Sequence, residues 1–367
     1  MEKYEYLMSL YFGIQTLELY AKDLKYTEVQ RVIDYLEGHG NIYKMKSDPY
    51  NINRHMKSTY LIEDGVRLRI YQSCIKSNGI GFIINPATLL TGEYQPVKLW
   101  EPTRRSVDTL LKKLNKILKL IGLDSVKARD LSLSQMDITT NKWGKKDFDI
   151  TPIIHFYHKC YIPRHFKALN IEDKNTRKHL FVMTNNTVTV KAYDKIYELK
   201  KNDRCPKSLK DKSILRFEVS LKREAFLKKF DLDREASLYE MLRAGYEHGA
   251  EIMKDYYDKM FPYRGVNVQY DTAKKLIESS IKNPLMREQM LYLLRKTSDS
   301  AGLSTAVRKL KDHSKDVDDR RVKKILSEFD KWGIAPITIP KKQLAPAFYN
   351  VTGGHAYGFH TIKEATI

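Results

Sequence analysis

The sequence is short of cysteine, with three in 367 residues, Cys74, Cys160 and Cys205. They are too few and too scattered for a disulfide framework or a zinc knuckle, and this fits a reducing compartment. Long apolar runs are also missing. The longest, Ile80–Leu90, is interrupted by Asn85 and Pro86 and is too short to span a bilayer, so no membrane partner is expected. The opening segment, MEKYEYLMSLYFG, lacks a basic stretch followed by a clean apolar run and a small-residue cleavage site, so no secretory signal is read there and a cytoplasmic location is expected. No repeat or low-complexity tract is evident. Acidic residues are outnumbered, 45 against 65 Lys plus Arg, for a net charge of +20. Such an excess suits a polyanionic partner, and equally a solvated basic surface.

With 42% hydrophobic and 30% charged residues, the chain can build a packed core. Its length predicts more than one domain. Thr27–Gly38 reads as a helix, with a Thr27/Gln30 capping pattern and Val29, Val32, Ile33 and Leu36 on one face. Arg67–Cys74 and Gly79–Ile84 flank a Ser77-Asn78-Gly79 turn and predict a hairpin. Ser106–Ile121 carries a continuous apolar stripe with Ser106 as its cap, and Gly122 ends it. Strand-like runs follow at Leu131–Thr140, Ile153–Cys160, Thr187–Tyr193 and Ile214–Leu221. Strands and helices mix without regular alternation, which predicts an α+β fold, an antiparallel sheet with flanking helices. Beyond about residue 222 the pattern becomes helical. Ser237/Glu240 forms a capping box, turn signals fall at Asn283-Pro284 and Ser298–Gly302, and Arg320–Lys331 is amphipathic. The expected division is 1–235, then a helical domain over 236–345, then a loose tail over 346–367.

Side chains alternate faces along a strand. In three of the predicted strands the polar parity holds Gln135, Asp137 and Thr139; Lys191 and Tyr193; and Arg216, Glu218 and Ser220. If these strands share a sheet, one polar face carries Asp137, Glu218, Lys191, Arg216 and Tyr193. Two carboxylates on neighbouring strands suit a hard divalent cation, Mg²⁺ or Mn²⁺, with open positions for phosphate oxygens. A tyrosine beside such an ion is a competent nucleophile, and Lys191 or Arg216 can neutralise charge on a phosphoryl group. Together these parts describe phosphodiester transesterification through a phosphotyrosine. The competing reading is a half-exposed sheet whose carboxylates pair with Arg216 across strands. Tyrosine is abundant, at 24 copies, so Tyr193 alone is weak evidence.

At these residues the sequence resembles the replication-initiator endonucleases of filamentous phages, the gene-two proteins, and their plasmid and prophage relatives. The resemblance runs in order through Ile84–Gly92, Ser134–Thr139, Val190–Lys195 with Glu198, Leu215–Val219 with Phe226–Phe230, and Trp332-Gly333-Ile334. It implies a rolling-circle nuclease-like core plus a C-terminal helical domain. It also implies an initiator that nicks one strand of phage or plasmid origin DNA, leaving a 5′-phosphotyrosine and a 3′-hydroxyl primer, with a host helicase and polymerase as partners in a bacterial cytoplasm. Tyr193 is then the nucleophile, Lys191, Lys195 and Arg216 compensate charge, and Asp137 and Glu218 ligate Mg²⁺ or Mn²⁺. The His-hydrophobe-His motif of the wider nuclease group is absent, which leaves Glu198 and His155 as candidates for a third ligand. Lys200, Lys201, Arg204, Lys207, Lys210 and Lys212, then Lys222, Arg223, Lys228 and Lys229, form the expected DNA-binding rim. Three alternatives stay open: a relaxase or transposase-like nickase, a non-catalytic DNA-binding regulator on the same fold, and a basic RNA-binding protein.

Overall fold

The computed structural model describes residues 12–39, 42–44, 54–59, 65–73, 78–144, 149–265, 267–299, 302–314 and 316–338. Of the predicted Ser77-Asn78-Gly79 turn, Ser77 lies outside these residues while Asn78 and Gly79 begin a strand, and the predicted tail lies wholly outside them. The architecture is α+β, as expected. Ten strands form one antiparallel sheet among the described residues: β1 (Phe12–Leu24), β2 (Ile42–Lys44), β3 (Arg54–Thr59), β4 (Val66–Ser73), β5 (Asn78–Ile84), β6 (Ser132–Gly144), β7 (Lys167–Ala168), β8 (Leu180–Thr184), β9 (Val188–Asp194) and β10 (Ser213–Lys222). Their order is β2-β3-β4-β5-β1-β6-β10-β9-β8-β7. The two longest strands, β1 and β6, of 13 residues each, form the central pair.

The order hides a repeat of path. After β1 comes helix α1 (Tyr26–Gly38), then outer strand β2, then β3, β4 and β5 meander back to pair with β1. After β6 comes helix α4 (Thr151–His158), then outer strand β7, then β8, β9 and β10 meander back to pair with β6. The sheet is two five-strand halves joined at β1–β6.

One face of the sheet is apolar. Leu17, Leu19, Met136, Ile138, Phe217, Val219, Val190 and Ala192 are all essentially buried there. On it pack α4, α7 (Arg223–Phe230), α8 (Leu238–Glu247) and α9 (Gly249–Met260). Two glycines set how close α8 and α9 come. A Cβ on Gly245 would lie 2.5 Å from the Met136 sulfur, and one on Gly249 2.5 Å from the Phe12 ring. The same apolar core continues into α11 (Pro284–Ser298), α12 (Leu303–His313) and α13 (Asp319–Lys331), whose inward residues Val322, Ile325, Leu326 and Phe329 are those the sequence pattern selects. No described helix is long and apolar enough to cross a membrane.

Some local expectations change. Helix α1 starts one residue before Thr27, and the reciprocal cap is the Lys25 N–H donating to Glu28 at 2.8 Å. Helix α3 (Arg104–Leu120) is capped by Thr103, which accepts from the Ser106 N–H, so Ser106 lies inside it. The run expected as a strand at Ile153–Cys160 is α4: Pro152 occupies its first turn, and Ile150, Ile153, Ile154 and Tyr157 bury one helical face. Strand β1 was not foreseen.

Candidate active site

The opposite face of β6, β9 and β10 is polar, and the register sets its neighbours. Glu218 lies opposite Lys191, Arg216 opposite Tyr193, and Ser220 opposite Asp137. Asp137 and Glu218 therefore stand diagonally across adjacent strands, within reach of one another. Tyr193 is next to last on β9. Asp194 then caps α6 (Lys195–Lys201) by accepting from the Ile196 and Tyr197 N–H groups, both at 3.0 Å. The chain thus leaves the sheet directly after the tyrosine, which fixes Tyr193 at the strand end, facing the cavity.

Glu218 is the hub. It accepts from Lys191 Nζ at 2.6 Å and from the Tyr193 hydroxyl at 3.2 Å. It is 4% exposed. Burial alone would raise its pKa, but Lys191, Arg216 and Lys195 outweigh that and hold it ionised below the usual carboxylate range. Against the opposing pull of burial, Glu218 and Asp137 keep Lys191 protonated above its ordinary range. Asp137 behaves in the opposite way. Burial and then the charge of Glu218 push its carboxyl up to about 6. Gln135 Nε2 donates to it at 3.0 Å. The Tyr193 phenol is raised well above its ordinary value by burial and then by Glu218, so it rests protonated.

These groups line one cavity of about 610 Å³ that continues onto the first half of the sheet, with Gln15, Glu18, Arg67 and Arg69 on its far wall. Lys195 and Glu198 line it too, bound to each other at 2.6 Å. Burial and then Arg216 depress the pKa of Lys195. Arg216 is 1% exposed. It is fixed by donation to Asn141 Oδ1 at 2.7 Å and to the Pro96 carbonyl at 3.0 Å. The segment that supplies Pro96 crosses the polar face: Asn141 donates to the Val97 carbonyl at 2.8 Å, and Trp100 bridges to Ile14. Arg216 is therefore spoken for as an anchor of this strap and a wall behind Tyr193, rather than an open phosphate ligand.

His155 is not at this site. It sits on α4, on the apolar side of the sheet, so the third-ligand role expected for it does not hold. Among the described residues no group of three His, Cys, Asp or Glu gathers as a metal centre, so Asp137 and Glu218 form a pair that Glu198 does not complete. The pair nonetheless fits a hard cation. Asp137 carries a charge strained by burial and by Glu218, and the buried oxygens Gln15 Oε1 and Thr139 Oγ1 beside it have no hydrogen-bond partner.

Of the basic residues, Lys200 and Lys201 end α6, and Lys207, Lys210 and Lys212 are exposed on the stretch leading to β10. Arg204 lines the cavity itself. Lys222, Arg223, Lys228 and Lys229 stand apart, from the far end of β10 onto α7, whose packing is on the other face of the sheet. Tyr197 is stacked on His179, with ring centroids 3.9 Å apart, and does not line the cavity. Several cavity residues escaped sequence reasoning, Glu18, Arg67, Arg69, Tyr94 and Gln15 among them. Tyr94 follows α2 (Pro86–Thr91) in a loop, with no local signal. Gln15 is the extra residue of a β-bulge in β1, beside the Thr16–Asp137 pair, and 6% exposed.

No known protein-family model matches the chain, and no curated protein matches it. Among solved structures it is similar to a rolling circle replication initiator protein from Geobacillus stearothermophilus, at 9% identity and a TM-score of 0.30, over 75% of this chain and 90% of that one. The resemblance is distant and lies at the level of the fold.

Proposed function

We propose that the protein is a rolling-circle replication initiator that nicks one strand of origin DNA by tyrosine transesterification. The observation that carries this reading is the Tyr193 hydroxyl donating to the buried Glu218 carboxylate beside Asp137, at one wall of a basic cavity. Tyr193 oxygen attacks the scissile phosphorus and passes its proton to Glu218. The bond from phosphorus to the 3′ oxygen breaks, leaving a 5′-phosphotyrosine and a 3′ alkoxide that takes a proton from water to become the hydroxyl. Glu218 suits the proton transfer because it is ionised, aligned and already hydrogen-bonded to the phenol. Lys191 holds Glu218 in place, and Lys195 and Arg204 bring positive charge to the side where phosphate oxygens would sit. Asp137 and Glu218 would hold Mg²⁺ or Mn²⁺, which supplies Lewis-acid polarisation of the phosphate when bound. The exposed lysines of Lys200–Lys212 would track the flanking backbone.

One observation favours a second reading, a DNA-binding regulator without catalysis: Lys191 already neutralises Glu218, and only two acids meet. Incubation with supercoiled plasmid carrying the element's own origin, with and without Mn²⁺, separates the two. The nicking reading expects a strand-specific nick and a covalent adduct mapping to Tyr193, and none with Tyr193→Phe. Origin binding by the wild type with no adduct under any metal would leave the regulator.

A further inference from the structure

The two halves of the sheet correspond residue by residue, not only in path. In the central pair, Leu17 faces Met136 and Thr16 faces Asp137, while Glu18 faces Gln135. Ile14 faces Ile138, and Leu19 faces Leu133. Exchanging the strands about the Leu17–Met136 pair turns each of these pairings into another of the set, and the bulge in β1 into the one in β6. Under that exchange Asp137 corresponds to Glu18. The correspondence extends outward through the registers. Glu218 lies between Thr139 and Lys191, and its counterpart Gly81 lies between Tyr20 and Arg69. Tyr193 faces Arg216 on β10, and Tyr71 faces Gly79 on β5. The first half thus repeats acid, cation and tyrosine as Glu18, Arg69 and Tyr71, with glycine where the second half has its hub carboxylate.

We infer that this counterpart is a second nucleic-acid site, rebuilt to bind a phosphodiester of the substrate strand rather than to cut it. The inference takes its ligand, single-stranded DNA, from the nicking reading. The chemistry of the exchange supports it. With Gly81 in place of Glu218, the hub position between Tyr20 and Arg69 carries no carboxylate. The gap at Gly81 instead lets Arg69 reach across β5 to Glu18, at 3.0 Å. Thr189 on β9 corresponds to Arg67 on β4, so the first half gains a second guanidinium. One acid and two arginines make this end attractive to an anion, whereas at the other end two acids meet Lys191 and an Arg216 already tied to Asn141 and Pro96, which suits a cation. Both ends line the same cavity, so a strand cut at Tyr193 can be held at Arg67 and Arg69.

The test is binding of a fluorescent single-stranded origin oligonucleotide to the full chain carrying Tyr193→Phe, over a salt series, together with adduct formation by the Tyr193 protein. Arg67→Gln with Arg69→Gln is expected to weaken binding about 10-fold or more and to reduce the salt slope by about 1 to 2. Gly81→Glu restores the hub carboxylate without crowding, since a Cβ there meets its nearest neighbours at 3.4 and 3.6 Å. It should weaken binding about 10-fold, while the neutral Gly81→Gln stays within about 2-fold of the parent. Unchanged affinity and salt slope, or an adduct on Tyr71, would overturn the inference. Arginine-dependent binding with no adduct from the Tyr193 protein would sink the nicking reading and leave this site. An adduct without arginine dependence would do the reverse.

Discussion

Asp137→Asn should destroy function and stabilise the fold. Asp137 is 6% exposed, and its carboxyl is raised from 3.8 to about 6 by burial and by Glu218. Its pKa is higher folded than unfolded, so the folded state holds the proton more tightly. The resulting penalty is absent at acid pH, appears as pH rises through the unfolded value near 3.8, and is complete above about 6. A shift of roughly two units corresponds to about 3 kcal/mol at neutral pH. Asparagine removes the charge and keeps an oxygen to accept from Gln135. Urea unfolding without divalent metal should therefore show the variant about as stable as wild type near pH 4 and about 2–3 kcal/mol more stable at pH 8. Adding Mg²⁺ at 100 times its dissociation constant should restore about 2.7 kcal/mol to the wild type and nothing to the variant. A variant less stable than wild type at pH 8, or a difference that ignores pH, would refute the reasoning.

Tyr193→Phe removes one 3.2 Å hydrogen bond and no packing, so its unfolding free energy should stay within about 1 kcal/mol of wild type while the covalent adduct disappears from denaturing gels. Glu218→Gln strands the Lys191 ammonium, whose side chain is 33% exposed, so a loss of about 2 kcal/mol in denaturant titration is expected rather than the full 3–5 of a sealed pair. Adding Lys191→Met to that variant should recover most of the loss. Gly245→Ala drives a methyl to 2.5 Å from the Met136 sulfur, and the overpacking should exceed the helix-propensity gain, for a net destabilisation of about 1–2 kcal/mol.

The polar face of the active half was legible because β6, β9 and β10 pair without a break between them, so simple parity placed Asp137, Lys191, Tyr193 and Glu218 together. Strand β1 was not, because its bulge spoils the alternation: Ile14 and Leu17 both point to the core three residues apart. The α4 segment misled because Ile153, Ile154, Phe156 and Tyr157 form a dense apolar run that period two and period 3.6 fit almost equally. Nothing local could show that Arg216 is sealed under the strap from Pro96 to Trp100, since its partners lie 75 and 120 residues away. His155 failed for the same reason. A ligand is chosen by which side of the sheet its element covers, and that is decided by tertiary packing.

The repeat in the sheet escaped because it is a repeat of register and not of sequence. The counterparts keep chemical type at three positions, as Glu18 for Asp137, Arg69 for Lys191 and Tyr71 for Tyr193, and they are isolated residues, one on β1 and two on β4. The two ends then differ most where the backbone is the same and the side chain is not. A carboxylate between lysine and tyrosine makes a proton acceptor and half of a cation site. A glycine in that place lets an arginine turn toward its own acid and leaves the hub position without a carboxylate. One frame can therefore offer a cutting end and a holding end, and the difference between them turns chiefly on residues 81 and 218.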